Sequence, residues 1–160
     1  MLDSERYAQS LSPLLGRAVA YARALLRSRH DAEDAVQQAA MRGLERFATF
    51  DANRSFKAWW FAIVRNCCID LRRDPHASRS TPLDVDPPDT ATSLEEEWLR
   101  LAAAMERVSA DHREILQLKY FADQSYAEIA DTLAIPKGTV MSRLYLARKA
   151  LAAAMHSEQP

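Results

Sequence analysis

The chain has 160 residues, with 21 Lys/Arg against 22 Asp/Glu, 48% apolar residues and only three glycines. That length admits one medium domain or two small ones. The apolar content supports a folded protein, and the shortage of glycine argues against an all-β chain full of tight turns.

Alanine, leucine, arginine and glutamate are strong helix formers, and their abundance predicts a mainly α protein. The N-terminus, "MLDSERYAQSLSPLL", carries acids early and has no apolar stretch suited to a signal peptide. No run approaches the roughly 18 apolar residues needed to span a bilayer. A cytoplasmic protein without membrane insertion is expected. The formal charge of −1 hides a division. Residues 1–73 carry 12 Lys/Arg and 8 Asp/Glu; residues 74–97 carry one Arg and 7 acids; residues 98–160 carry 8 Lys/Arg and 7 acids. Two basic or near-neutral blocks are joined by an acidic strap.

In chain order, a first helix is predicted from about Tyr7 to Arg29. "DAEDAVQQAAMRGLERF" follows as a second, with Asp31 placed to N-cap it and Asp34 in its first turn near the positive helix end. After the break "TFDANRS", Ser55 is positioned to cap a third helix, "FKAWWFAIVRNCCIDLRR" (56–73). At 100° per residue, Phe56, Trp60, Ile63, Val64, Cys67 and Leu71 form its apolar arc. Trp59, Asn66, Asp70 and Arg73 gather along one edge, while Arg65 and Arg72 point away. Trp60 then reads as core and Cys67 as a core thiol, with Cys68 marginal. Trp59 is placed where a flat aromatic stacks on a base. Asn66 reads equally as a donor to a base edge or as an ordinary polar surface residue.

"DPHASRSTPLDVDPPDTATS" (74–93) has four prolines and no apolar periodicity, the composition of a linker. An ordered loop within one domain is the alternative, but about twenty structureless residues are unusual there. Beyond it, "SLEEEWLRLAAAMERV" (93–108), "SADHREILQLKYF" (109–121) and "SYAEIADTL" (125–133) each read as helices. Ser109 caps the second of these, and Ser125 with Glu128 forms a capping box on the third. "AIPKG" interrupts, and "TVMSRLYLARKALAAAM" is the last helix.

The short break at "AIP" is a helix-turn-helix pattern, with Ile129, Leu133, Ile135, Val140 and Leu144 as its apolar contacts. Val140, Leu144, Ala147 and Leu151 share one arc of the last helix. Gly138, Met141, Ser142, Tyr145 and Lys149 lie opposite, with Arg143 and Arg148 on the borders. From Lys137 to Lys149 there are four basic residues and no acid. Such a helix suits the major groove, its exposed arc reading bases and its flanks binding phosphates. A solvated helical hairpin has the same pattern.

Enzymatic signatures are missing from the sequence: no P-loop, no G-x-S-x-G, no paired metal carboxylates. Cys67 and Cys68 are adjacent, and His30, His76, His112 and His156 do not complete a zinc spacing with them. Neither a catalytic residue, a metal nor a cofactor is expected.

Taken together, "DAEDAVQQAAMRGLERF", "FKAWWFAIVRNCCIDLRR" and "SYAEIADTLAIPKGTVMSRLYLARKAL" resemble a bacterial RNA polymerase sigma factor of the small extracytoplasmic-function type. The resemblance covers roughly residues 8–73 and 94–152. It implies an all-α fold of two small helical domains, region 2 over 1–73 and region 4 with its helix-turn-helix over 94–157, joined by a flexible acidic linker. It implies core RNA polymerase and promoter DNA as partners, and an anti-sigma factor as a third. By position, Asp31, Glu33, Asp34 and Gln37 fall on the helix that docks on the polymerase clamp. Phe50, Asp51, Asn53 and Arg54 fall on the loop that captures a flipped −10 base, and Trp59 and Asn66 on −10 reading positions. Lys137, Thr139, Met141, Ser142, Arg143, Tyr145, Arg148 and Lys149 fall on the −35 reading helix. Met141 and Leu146 stand where the family commonly has Arg or Lys. Rival readings are a stand-alone helix-turn-helix regulator, or a sigma mimic that titrates an anti-sigma protein.

Overall fold

A computed structural model describes residues 2–74 and 93–157. The linker expected over 74–93 lies outside the described residues except at its two ends. Every regular element among the described residues is helical, in agreement with the all-α expectation.

The single helix predicted over Tyr7–Arg29 is instead broken. α1 (Asp3–Leu11) and α2 (Leu15–Leu26) flank a turn of 3-10 helix at Ser12–Leu14. Pro13 accounts for the break, because it has no N–H to donate and its ring crowds the turn before it. α2 stops at Arg27, whose left-handed φ of 58° lets its N–H reach the Arg23 carbonyl. α3 (Arg29–Arg46) is capped by Ser28, whose Oγ accepts from the Asp31 N–H at 3.2 Å. The predicted cap at Asp31 is thus corrected: Asp31 is the third helical residue, and the short serine three residues earlier has the extended backbone a cap requires. A further 3-10 turn, Phe47–Thr49, leads to α4 (Phe56–Arg73), with Ser55 as cap in the predicted role.

α2, α3 and α4 enclose the first half's core. Trp60, Phe61, Val64, Tyr21 and Cys67 have little or no exposed surface. Ala32, Ala35 and Ala39 line the inner face of α3, small side chains that let the neighbouring helices approach closely. Gly43 extends that stripe: a Cβ there would strike the Tyr7 hydroxyl, which donates to the Ala40 carbonyl at 2.8 Å.

The second half is built from α5 (Ser93–Arg107), α6 (Ala110–Tyr120), α7 (Tyr126–Leu133) and α8 (Lys137–His156). Ser109 and Ser125 cap α6 and α7 as predicted. The Glu128 carboxylate of the expected capping box turns instead toward Lys57 Nζ, 3.9 Å away on α4. Arg113 closes the end of α5 by donating to the carbonyls of Met105, Glu106 and Val108, neutralising the negative pole of that helix. α7 ends on Ala134 in a left-handed conformation, and Val140, Leu144 and Ala147 of α8 are buried.

The two halves pack on one another, and their buried residues form one continuous cluster. α4 is the shared element, since its outer face meets α7, Glu114 of α6 and the turn after α6. Arg65 pairs with Glu114, and Lys57 donates to the Asp123 carbonyl. Arg17 pairs with Asp123 at 3.6 Å, and Arg27 pairs with Glu106. The Gln117 amide donates to the Ala24 carbonyl at 3.2 Å. This interface corrects two expectations. Arg65 does not point to solvent, and Cys68, expected to be marginal, is fully buried against the second half.

Candidate nucleic-acid and polymerase interface

Three surfaces carry the predicted site residues. The first is the outer face of α3. Glu33 and Gln37 are exposed there, and Asp34 is half-buried. Glu33 pairs with Arg29 at 3.1 Å and Asp34 with His30 at 3.4 Å, both one helical turn apart. These i,i+4 pairs are exposed and hold the carboxylates only loosely. Asp31 departs from the group. It is half-buried and lines a cleft between the two halves with Arg27, Arg72, Arg113 and Glu114. In that cleft, burial and the nearby Arg113 and Arg72 guanidinium groups lower the Arg27 pKa. Two residues that sequence reasoning passed over complete the α3 face: Met41 is 67% exposed and Leu44 46%. Gln37 to Met41 is four residues and Gln37 to Leu44 seven, so all three share one side. That spacing was the available signal.

The second surface joins the 50–54 loop to one edge of α4. Phe50 and Trp59 meet with ring centroids 4.9 Å apart, and Phe56 lies 5.6–5.7 Å from each. Phe47 stacks behind Phe50 and reaches Tyr7. Trp59 is therefore held from behind by an aromatic cluster and remains half-exposed in front. Asp51 shapes the loop: its carboxylate accepts from the Asn53 N–H at 2.9 Å and its carbonyl from the Arg54 N–H. Such an Asx turn leaves the exposed Asn53 and Arg54 side chains directed outward. Asn66 is exposed and lies about 10 Å along the same edge from Trp59, at 1.5 Å per residue. On that edge Asp70 pairs with Arg42 of α3 at 3.0 Å. The structure thus brings together an aromatic shelf, a polar loop and an amide.

The third surface is the outer side of α8. Lys137, Met141, Ser142, Tyr145, Arg148 and Lys149 are exposed, while Thr139 and Arg143 are half-buried. The Ser142 hydroxyl donates to the Thr139 carbonyl at 3.2 Å, which orients its lone pairs outward. Met141, Tyr145 and Leu146 are each more than half exposed, an apolar strip set among cations. Tyr120 was not among the predicted residues, yet it contacts Arg148 directly.

Among the described residues no three His, Cys, Asp or Glu side chains gather as a metal site, and no helix is long and apolar enough to cross a membrane. Burial raises the pKa of both thiols, and that of Cys68 to about 12, so neither is a ready nucleophile.

Comparison with known proteins agrees with this arrangement. Residues 11–78 match the model of Sigma-70 region 2, and residues 98–151 that of Sigma-70, region 4. The chain is 34% identical over 140 residues to the ECF RNA polymerase sigma factor SigL of Mycobacterium tuberculosis, covering 82% of this chain and 78% of that protein. It is 31% identical over 139 residues to the ECF RNA polymerase sigma factor SigW of Bacillus subtilis, covering 76% and 74%. In fold it is similar to CnrH, solved in complex with the cytosolic domain of CnrY, with a TM-score of 0.76, 22% identity, and coverage of 98% and 91%. RpoE of Bartonella quintana, solved with the anti-sigma factor NepR, superposes with a TM-score of 0.71 at 24% identity, covering 97% and 99%. Two sigma-70 regions in the family order, on two helical halves that expose an aromatic shelf and a basic helix-turn-helix, show what this chain is: it belongs to the sigma-70 family, as an RNA polymerase sigma factor of the ECF type.

Proposed function

We propose that the chain binds core RNA polymerase through the outer face of α3, engages the −10 element with the 50–54 loop and the Trp59 edge of α4, and reads the −35 element with α8. It is a specificity subunit and not an enzyme in its own right. The observation that carries the reading is the aromatic shelf. Phe50 and Trp59 are braced from behind by Phe47, Phe56 and Tyr7, so a base extruded from the duplex finds a surface already ordered. Extrusion costs a few kcal/mol of unstacking, and preorganised stacking offsets it.

On α3, the polar Glu33, Asp34 and Gln37 lead along the helix to the exposed apolar pair Met41 and Leu44. That composition is typical of a protein–protein contact. Asp31, withdrawn into the cleft, contributes to that contact only if the halves separate. The α8 face combines four basic residues between 137 and 149 with no acid, which favours DNA backbone. A protein working with polymerase belongs in the cytoplasm. The two solved proteins of similar fold are each held by another protein, and one of those is named an anti-sigma factor. An anti-sigma partner is proposed for this chain on the same ground.

Gel filtration of the purified protein with core polymerase, with duplex DNA alone as control, tests the reading. Comigration with core and none with duplex is expected. Binding to duplex without core would replace this reading with a stand-alone regulator.

A further inference from the structure

Among the described residues, most arginines with a side-chain partner face a carboxylate, and Arg107 and Arg113 donate to backbone carbonyls. Arg6, Arg17, Arg27, Arg29, Arg42 and Arg65 each face a carboxylate. Arg148 is held differently. Its Nε donates to the Tyr120 hydroxyl at 2.8 Å, and its guanidinium carbon sits 5.9 Å from the centre of that ring. The Tyr120 and Tyr126 phenols beside it raise its pKa. Lys119 lies 5.3 Å from the Tyr126 ring centre, and its Nζ donates to the Gln124 carbonyl at 3.3 Å. Two cations and two phenols therefore meet where α6 ends, α7 begins and α8 passes.

A carboxylate would cancel the charge of Arg148, whereas a phenol fixes the guanidinium plane and leaves the charge intact. Tyr120 takes the Nε–H and the Tyr126 phenol hydrogen-bonds the guanidinium as well, and the remaining Nη donors are the ones a ligand can reach. Tyr120, with its oxygen accepting from Nε, keeps its own O–H to donate. Tyr120 is 55% exposed, so this donor set opens to solvent. Planar, fixed donors of this kind match the oxygens of a phosphate.

We infer that Tyr120 and Arg148 form a clip for a single DNA backbone phosphate, with Tyr120 both orienting the arginine and donating a hydrogen bond of its own. The inference rests on the reading of α8 as the −35 helix and deepens it. Phosphate contacts set register and carry no sequence information, so the clip fixes how deeply α8 sits in the groove while Arg143 and its neighbours read bases.

The test uses holoenzyme on a promoter fragment selected from a random pool, with a neutral methylphosphonate placed at one linkage at a time across the upstream element. With the wild-type chain, one linkage is expected to weaken binding beyond its neighbours. Tyr120→Phe keeps the ring and removes the hydroxyl. It is expected to lower affinity by about threefold to tenfold, equally on matched and mismatched upstream sequences, and to erase the special penalty at that linkage. Arg148→Ala should do the same and flatten the salt dependence by about one counterion. Arg148→Lys keeps the charge and loses the fork, so it should retain the salt slope while losing the linkage effect. Each variant's melting curve confirms that it is folded. Wild-type affinity and an undiminished linkage penalty in Tyr120→Phe would overturn the clip alone, provided Arg143→Ala still weakens binding. If Arg143→Ala and base changes are also without effect, the −35 assignment of α8 falls and the clip with it.

Discussion

The Thr132 hydroxyl of α7 lies 3.3 Å from the Ala58 carbonyl oxygen of α4 and 3.1 Å from Gln124 Oε1. One buried hydroxyl thus ties together two halves whose contact spans 74 residues of sequence. Gln124 is itself buried, and among the described residues its amide nitrogen has no hydrogen-bond partner. Thr132→Val preserves shape and removes the hydroxyl that pairs with Gln124 Oε1. Leaving that oxygen unpaired should cost about 1–3 kcal/mol in urea unfolding. A change below about 0.5 kcal/mol, the level of an ordinary surface substitution, would show that the hydroxyl is not a structural tie.

The Arg65–Glu114 pair should govern how the halves sit. Arg65→Glu sets two carboxylates side by side, and small-angle scattering is expected to report a larger radius of gyration. Far-UV circular dichroism should stay the same, because each half keeps its own core. Adding Glu114→Arg restores the pair with its sign reversed and should recover the compact form. A radius unaffected by the single change would mean that apolar contacts alone hold the closure.

On the aromatic shelf, Trp59→Ala should reduce promoter opening by about tenfold, the order of one lost base stack. Asn66→Ala and Phe50→Ala should act in the same direction. Permanganate reactivity of unpaired thymines measures opening directly, and core binding should stay at the wild-type level. Equal losses in both assays would mean that these residues serve the fold and not the melted strand.

For the polymerase contact, Met41→Glu places a charge within the proposed α3 patch without disturbing a buried residue. Affinity for core should fall by about tenfold or more, the equivalent of losing one buried apolar side chain. Thermal stability should hardly move, and fluorescence anisotropy with labelled chain gives the number. Unchanged affinity would place the contact elsewhere on α3.

Much of this arrangement was legible in the chain. The helix-turn-helix, the serine caps at 55, 109 and 125, and the buried arc of α4 each follow from local chemistry or from a single-helix wheel. The contact between the halves was not, because a polar interface leaves little periodic trace. Arg65 and Lys57 look like solvated charges until Glu114 and Glu128 come opposite them. A weaker signal was present: Phe61 and Cys68 lie off the main apolar arc, on the side where Arg65 projects, and both are fully buried. An aromatic on the supposed solvent face of α4 already implied a second neighbour. The misplaced cap at Asp31 has a different origin, since Ser28 competes for the role three residues earlier and serine is as good a cap as aspartate.

Alkaline pH should destabilise the protein. Burial raises the Cys68 pKa from 9.0 to about 12, and raises that of Tyr21 as well. Above about pH 9 the unfolded chain releases protons that the folded chain keeps, so stability falls as pH rises. Below pH 8 neither group contributes a slope. Urea midpoints measured from pH 7 to 10.5 should decline over the upper part of that range, and Cys68→Ala should soften the decline. A flat profile would show that the thiol is solvated in the native state.

Cys67 and Cys68 are neighbours in sequence yet sit against different partners. Cys67 is embedded beside α3, near Arg42 and Arg46, while Cys68 lines the cleft facing Glu114 and Gln117. Two built-in probes therefore answer to different events. Parting of the halves should uncover Cys68 and leave Cys67 sealed, whereas global unfolding should release both. Pulse labelling followed by mass analysis would count one modification or two. The untouched chain thus carries its own means of separating an opening motion from a loss of fold.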